Sequence, residues 1–102
     1  MNQAQLMAQF KKMQAEMQKA QEELADTIVS GSAAGGAVTV DLSCDQRVRR
    51  VKIDREAVDP DDVETLEDLV TVAVNDALSK ATETSQKRMA SATGGMRIPG
   101  LM

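Results

Sequence analysis

A chain of 102 residues with 42% hydrophobic side chains is expected to form one domain, and with Phe10 as its single aromatic its core will be thin. The absence of histidine excludes His-based triads, a His general base and His-containing zinc sites, and the one cysteine, Cys44, can form neither an internal disulfide nor a thiolate cage. The formal charge of −4 would exclude nucleic acid only if it were evenly spread.

It is not evenly spread. Residues 1–21 carry Lys11, Lys12 and Lys19 against Glu16 alone, and residues 22–46 carry five acids and no base. Arg47, Arg49, Arg50 and Lys52 then form a short basic block, residues 54–79 hold nine acids against Arg55, and Lys80, Lys87, Arg88 and Arg97 face only Glu83. Local potential of this kind decides which partners approach. The scarcity of aromatic area in so small a chain points to a subunit interface as the missing source of burial, and an obligate homodimer is expected. The amino terminus lacks the basic-then-apolar pattern of a secretion signal and no apolar run reaches the length of a membrane span, so the expected setting is the cytoplasm.

In chain order, residues 2–26 predict a helix in which Leu6, Phe10, Met13, Met17, Ala20 and Leu24 alternate spacings of four and three, a heptad seam. The methionines on it read as core packing rather than as ligands. Thr27 to Ser30 is a short β-branched run, and Gly31 to Gly36 reads as a small-residue loop. Ala37 to Ser43 alternates strictly, with Val38, Val40 and Leu42 on one face, and predicts a half-buried strand. Cys44 to Gln46 is a turn. Beyond it Val51 and Ile53 share one strand face and Arg50 and Lys52 the other, while Val48 falls out of phase, in a bulge or in the turn.

Asp59 to about Met89 predicts a long helix with Asp59 as N-cap, Pro60 as first residue, and Asp61, Asp62 and Glu64 where the helix dipole favours negative charge. Val63, Leu66, Leu69, Val70, Ala73, Val74, Ala77, Leu78 and Ala81 form its apolar stripe. About 30 residues at 1.5 Å make a rod of roughly 45 Å, against a radius of gyration near 13 Å for a compact chain of this length, so the rod should project. The fold class is α+β: a helix, a three-stranded antiparallel meander and a long helix, in residues 1–92 as a single domain. Residues 93–102, TGGMRIPGLM, read as a mobile tail.

An antiparallel pairing of the two helices would put Leu24 near Leu66, with Met17, Met13 and Phe10 opposite Ala73, Ala77 and Ala81, large facing small. The paired helices could come from one chain or two. The same alignment would gather Lys11, Lys12, Lys80, Lys87 and Arg88 at one tip, away from the acidic run Asp54 to Asp68. Such a cluster can bind a phosphate backbone through counterion release without base contacts. The alternative patch is Arg47, Arg49, Arg50 and Lys52, and the plainer reading of each Lys is that it solvates a helix face.

No catalytic constellation competes. Gly35-Gly36 and Gly94-Gly95 follow no P-loop or dinucleotide spacing, and Asp61-Asp62 and Glu67-Asp68 fit the first turns of a helix. No cofactor, metal, membrane or small-molecule substrate is expected.

Several stretches together also resemble the YbaB/EbfC family of bacterial nucleoid-associated proteins: the Gln- and Met-rich amino-terminal helix, GGAVTVDL at Gly35 to Leu42, VRRVKID at Val48 to Asp54, LEDLVTVAVNDA at Leu66 to Ala77, and KRMASATGGMRIPG at Lys87 to Gly100. The resemblance implies a tweezers-like homodimer with projecting helical arms, each subunit built as helix, three strands and long helix. It also implies binding to double-stranded DNA, a place in the nucleoid, and a role in nucleoid organisation or gene regulation. It supplies no catalytic residue set and no fixed set of DNA contacts. The main rival is a protein-interaction adaptor or clamp that uses the helical arms without DNA. A small acid-base enzyme would need a pocket that so thin a chain can hardly enclose.

Overall fold

The first helix starts where a short polar side chain can satisfy its free amides. In the computed structural model, which describes residues 2–93, the Asn2 side chain accepts the Gln5 amide at 2.8 Å and Gln5 Oε1 accepts the Asn2 amide in return. This reciprocal cap opens α1, Gln3–Asp26. The far end of α1 is stitched to the sheet, since the Cys44 amide donates to the carbonyls of Leu24 and Thr27 at 3.1 and 2.9 Å.

Three antiparallel strands follow, β1 (Ile28–Ala33), β2 (Val38–Ser43) and β3 (Arg47–Ile53), in the order β1-β2-β3, and then α2 (Val63–Ala92). The expected α+β order is therefore the order found. β1 runs through Gly31, which the sequence assigned to a loop. A Cβ on Gly31 would lie 2.2 Å from the Ala77 amide nitrogen and 2.4 Å from the Ala73 carbonyl oxygen, so this glycine is where α2 comes down onto the strand.

That contact also corrects the expected helix pairing. Ala73, Ala77 and Ala81 are buried against the sheet, in one cluster with Ala33, Val38, Val40, Leu42, Cys44 and Leu24, and they do not receive Met17, Met13 and Phe10. Glu23 of α1 instead meets Arg88 of α2 at 2.7 Å, and Ala20 and Ala92 are buried, so α1 packs on the last turns of α2 and Leu24 lies far from Leu66. Alanines spaced by four let a helix backbone settle on a strand, which leaves them unavailable to a second helix. Burial along the α1 seam then tapers: Ala20 and Leu24 are buried, Met13 and Met17 half-buried, and Phe10 and Leu6 are 51% and 56% exposed.

The start of α2 falls three residues after the position the sequence suggested. Asp62 is the cap, accepting the Thr65 amide and hydroxyl at 3.3 and 2.6 Å. Asp59 instead closes a turn, accepting the Asp61 amide on its side chain and the Asp62 amide on its carbonyl, both at 2.9 Å. Pro60 thereby occupies the second turn position, which its fixed φ suits as well as it suits a helix start. At the other end α2 continues to Ala92. Of the expected tail only Thr93, the cap of α2, belongs to the described residues.

The register between β2 and β3 settles Val48. Asp41 pairs with Arg50 and Leu42 with Val48, so Arg49 is the extra residue of a bulge and Val48 returns to the face of Val51 and Ile53. These three lie opposite Leu42, Val40 and Val38, on the side where α2 packs, yet remain 53%, 47% and 38% exposed. The molecule measures 70 × 27 × 16 Å with a radius of gyration of 19.4 Å. It does project, but the half of α2 carrying Leu66 to Ala81 lies on the sheet, and the extension comes from α1 and the last turns of α2.

Candidate nucleic-acid interface

The cations expected to share one tip sit at separate stations. Lys80 lies over the sheet edge, where its Nζ donates to the Ser30 carbonyl at 3.1 Å and pairs with Asp76 at 3.1 Å. Asp76 in turn accepts the Ser32 amide at 3.0 Å. A strand edge offers unpaired amides and carbonyls, and here two α2 side chains one turn apart occupy them along β1. The Ser32 amide and then Lys80 hold the Asp76 carboxyl below the usual range for aspartate.

Arg88 is equally committed. Its Nε donates to Glu23 at 2.7 Å, an interhelical bond that lowers the Glu23 pKa, first through that hydrogen bond and then through the charges of Arg88 and Lys19. Lys87, on the next residue, makes a 3.0 Å pair with Glu83 one turn back, with side chains 76% and 65% exposed. Such a pair contributes little and releases its cation readily. Lys11 and Lys12 are exposed on the free half of α1, and Lys12 lines an open groove of about 720 Å³ together with Leu6, Phe10, Met13, Glu16 and Thr93.

The strand patch also divides. Arg49, at the bulge, folds back so that its Nε donates to Ser43 Oγ at 3.1 Å and its Nη2 to the Ala25 carbonyl at 3.3 Å. It ties β3 to the end of α1. Arg47 leans toward Asp45 at 3.8 Å. The Asp45 carboxyl is held down chiefly by the Ser43 hydroxyl it accepts, then by Arg49 and Arg47. Arg50 and Lys52, opposite Asp41 and Thr39, point to the polar face of the sheet and stay exposed. Sequence spacing carries no signal for the structural duties of Asp76 and Arg49, because one follows from an edge strand and the other from a bulge.

The single thiol is not activated by this arrangement. Cys44 is buried, and that burial, with Asp45 nearby, raises its thiol pKa, away from the reactive thiolate. Among the described residues no group of three or more His, Cys, Asp or Glu side chains is placed to hold a metal, and no helix is long and apolar enough to cross a membrane.

Comparison with known proteins gives consistent relatives. The model of the YbaB/EbfC DNA-binding family matches residues 1–96. A nucleoid-associated protein of Chloroflexus aurantiacus is 53% identical over 97 residues, covering 95% of this chain and 97% of its own. One from a Roseiflexus species is 46% identical over 100 residues, covering 98% of this chain and 99% of its own. The crystal structure of an uncharacterized protein from Helicobacter pylori shares the fold, with a TM-score of 0.73 at 24% identity over 85% of this chain and 91% of that one.

Proposed function

Since the chain belongs to the YbaB/EbfC DNA-binding family, we propose that it is a nucleoid-associated protein that binds double-stranded DNA as a homodimer, gripping the phosphate backbone. The observation that carries this reading is the free half of α1, where Lys11 and Lys12 are exposed, with Lys87 near the end of α2 held only by a solvent-exposed pair. Cations that hold no structural contact can trade counterions for phosphates at no cost to the fold. Arg88 and Lys80 join them only by giving up the Glu23, Asp76 and Ser30 contacts, so their first duty is structural.

The dimer is supported by the uncovered apolar face of Val48, Val51 and Ile53 and by exposed Val58 and Val63 at the adjoining turn and helix start. With the β1 edge occupied by α2 side chains, β3 is the edge left for a second subunit. A pair of chains would present two sets of α1 cations to one duplex. A place in the nucleoid, with an effect on its organisation or on gene regulation, follows from that activity.

The test is a titration with duplex DNA at several salt concentrations. Lys11, Lys12 and Lys87 changed together to Glu should abolish binding with the fold intact. Removing one contacting lysine should flatten the log-log salt slope by about one unit. Arg88→Glu is unsuitable as a charge reversal because it would set two carboxylates against each other at Glu23. If the triple variant keeps its affinity and slope while Arg50→Glu and Lys52→Glu together abolish binding, the outward face of β3 is the site. A wild-type protein that binds no duplex at low salt would leave the adaptor reading.

A further inference from the structure

The cation at the junction of the two helices is held by an acid of the chain itself. Arg88 donates from Nε to Glu23 at 2.7 Å, and the two side chains are 26% and 46% exposed, so the bond lies at the surface of the helix pair, where a third group can reach it. Among the described residues Nε is the only atom of this guanidinium in a hydrogen bond, which leaves the two Nη groups as free donors. A second acid of α1 bears on the same site, since the charge of Glu16 also reaches Arg88. Lys87, the preceding residue of α2, is held only by its exposed pair with Glu83.

Building on the DNA-binding role, we propose that Glu23 fills on Arg88 the place of a DNA phosphate, and that a duplex drawn to Lys11, Lys12 and Lys87 displaces it. A carboxylate and a phosphate make the same kind of charge-assisted bond to a guanidinium. Two anions on one guanidinium repel each other, so they compete for it.

The exchange gives Arg88 one anion for another, and its gain is the counterion that leaves the phosphate. Its cost is small, because a partly exposed ion pair contributes little. Lys19, one turn before Glu23 on α1 and within reach of its charge, can take the released carboxylate. Lys80 has no such freedom. It also donates to the Ser30 carbonyl, and its partner Asp76 accepts the Ser32 amide, so that pair is tied to the strand at both ends. Glu23 therefore sets a threshold: it lowers the affinity for duplex and makes the parting of α1 from Arg88 a step of binding.

Duplex titration of full-length variants at several salt concentrations tests this. Glu23→Gln should bind about fivefold more tightly than wild type, the scale of a partly exposed ion pair. Its log-log salt slope should be unchanged, because the complex holds the same phosphate contacts. Glu22→Gln removes the same charge from an exposed neighbour on α1 and should gain less than about twofold. Arg88→Gln should flatten the slope by about one unit, and the gain of Glu23→Gln should vanish when Arg88 is also Gln. Slow amide exchange at Val38 to Leu42 in every variant is the control for the fold. A Glu23→Gln protein that binds no more tightly than Glu22→Gln would overturn the proposal and leave the pair a strut between the helices. An Arg88→Gln protein with the wild-type slope would do the same. A wild type that binds no duplex would remove the DNA-binding reading together with the proposal.

Discussion

Gly31 sets how closely α2 approaches the sheet, because the Ala77 backbone occupies the space a side chain would need. Gly31→Ala should lower unfolding stability by at least about 2 kcal/mol in urea, an overpacking cost with backbone on the other side and no flexible tip to give way. Gln46 is the opposite case. It closes the β2–β3 turn at φ 67°, left-handed backbone that a glutamine adopts at a cost, so Gln46→Gly should raise stability by up to about 1 kcal/mol in the same measurement. Neither residue was legible in advance for a shared reason. Gly31 stands among Ser and Ala that also suit a loop, and only the helix above it distinguishes a close approach from a flexible link. Val48 was legible as an anomaly, since it broke the alternation, but choosing between bulge and turn needed the register with β2.

Between elements, the contact that joins α1 to the end of α2 is Glu23 with Arg88. The Glu23 pKa is lower in the folded chain than in the unfolded one, so the unfolded state binds its proton first on acidification. The stability from this pair is fully present above the usual glutamate range near pH 4.3 and is lost as pH falls through the lowered folded value. Asp45, Asp62 and Asp76 are shifted in the same direction and add to the same acid slope. Glu23→Gln should accordingly flatten the fall of melting temperature below about pH 4.3 without changing the profile above neutrality. If that slope is unaltered, the pair does not hold the helices in solution. The elements themselves were largely legible: the heptad spacing in α1, the alternation in β2, and the stripe in α2 each report a period and a face. The partner of a face is not encoded in its period. Large residues on α1 and alanines on α2 look complementary on paper, yet the alanines matched a glycine on β1 more closely, and α1 took what remained of α2.

At the scale of the molecule, the chain leaves one edge of its sheet unfinished. The β1 edge carries Asp76 and Lys80 on its exposed backbone groups, whereas β3 presents Val48, Val51 and Ile53 on the α2 side with no comparable cover. The five-cation tip inferred from sequence alone does not form, because it rested on the wrong helix register, whereas the expectation of a second chain rests on the aromatic-poor composition and is independent of that register. The two neighbouring positions Val51 and Lys52 separate the interface from the strand itself. Val51 lies opposite buried Val40, and Lys52 lies opposite Thr39 on the polar face. A carboxylate at Val51 would be desolvated without a partner at a β3 interface, at a cost of several kcal/mol. A carboxylate at Lys52 stays in water. In sedimentation at low micromolar concentration, wild type and Lys52→Asp should both run as two chains, and Val51→Asp should run as one or unfold, with its association weakened at least about 100-fold, which is near 2.8 kcal/mol. Two chains in all three samples would move the interface away from β3. One chain in the wild type would mean that each arm meets DNA alone, and its unfolding midpoint would then not depend on protein concentration, as that of a folding dimer must.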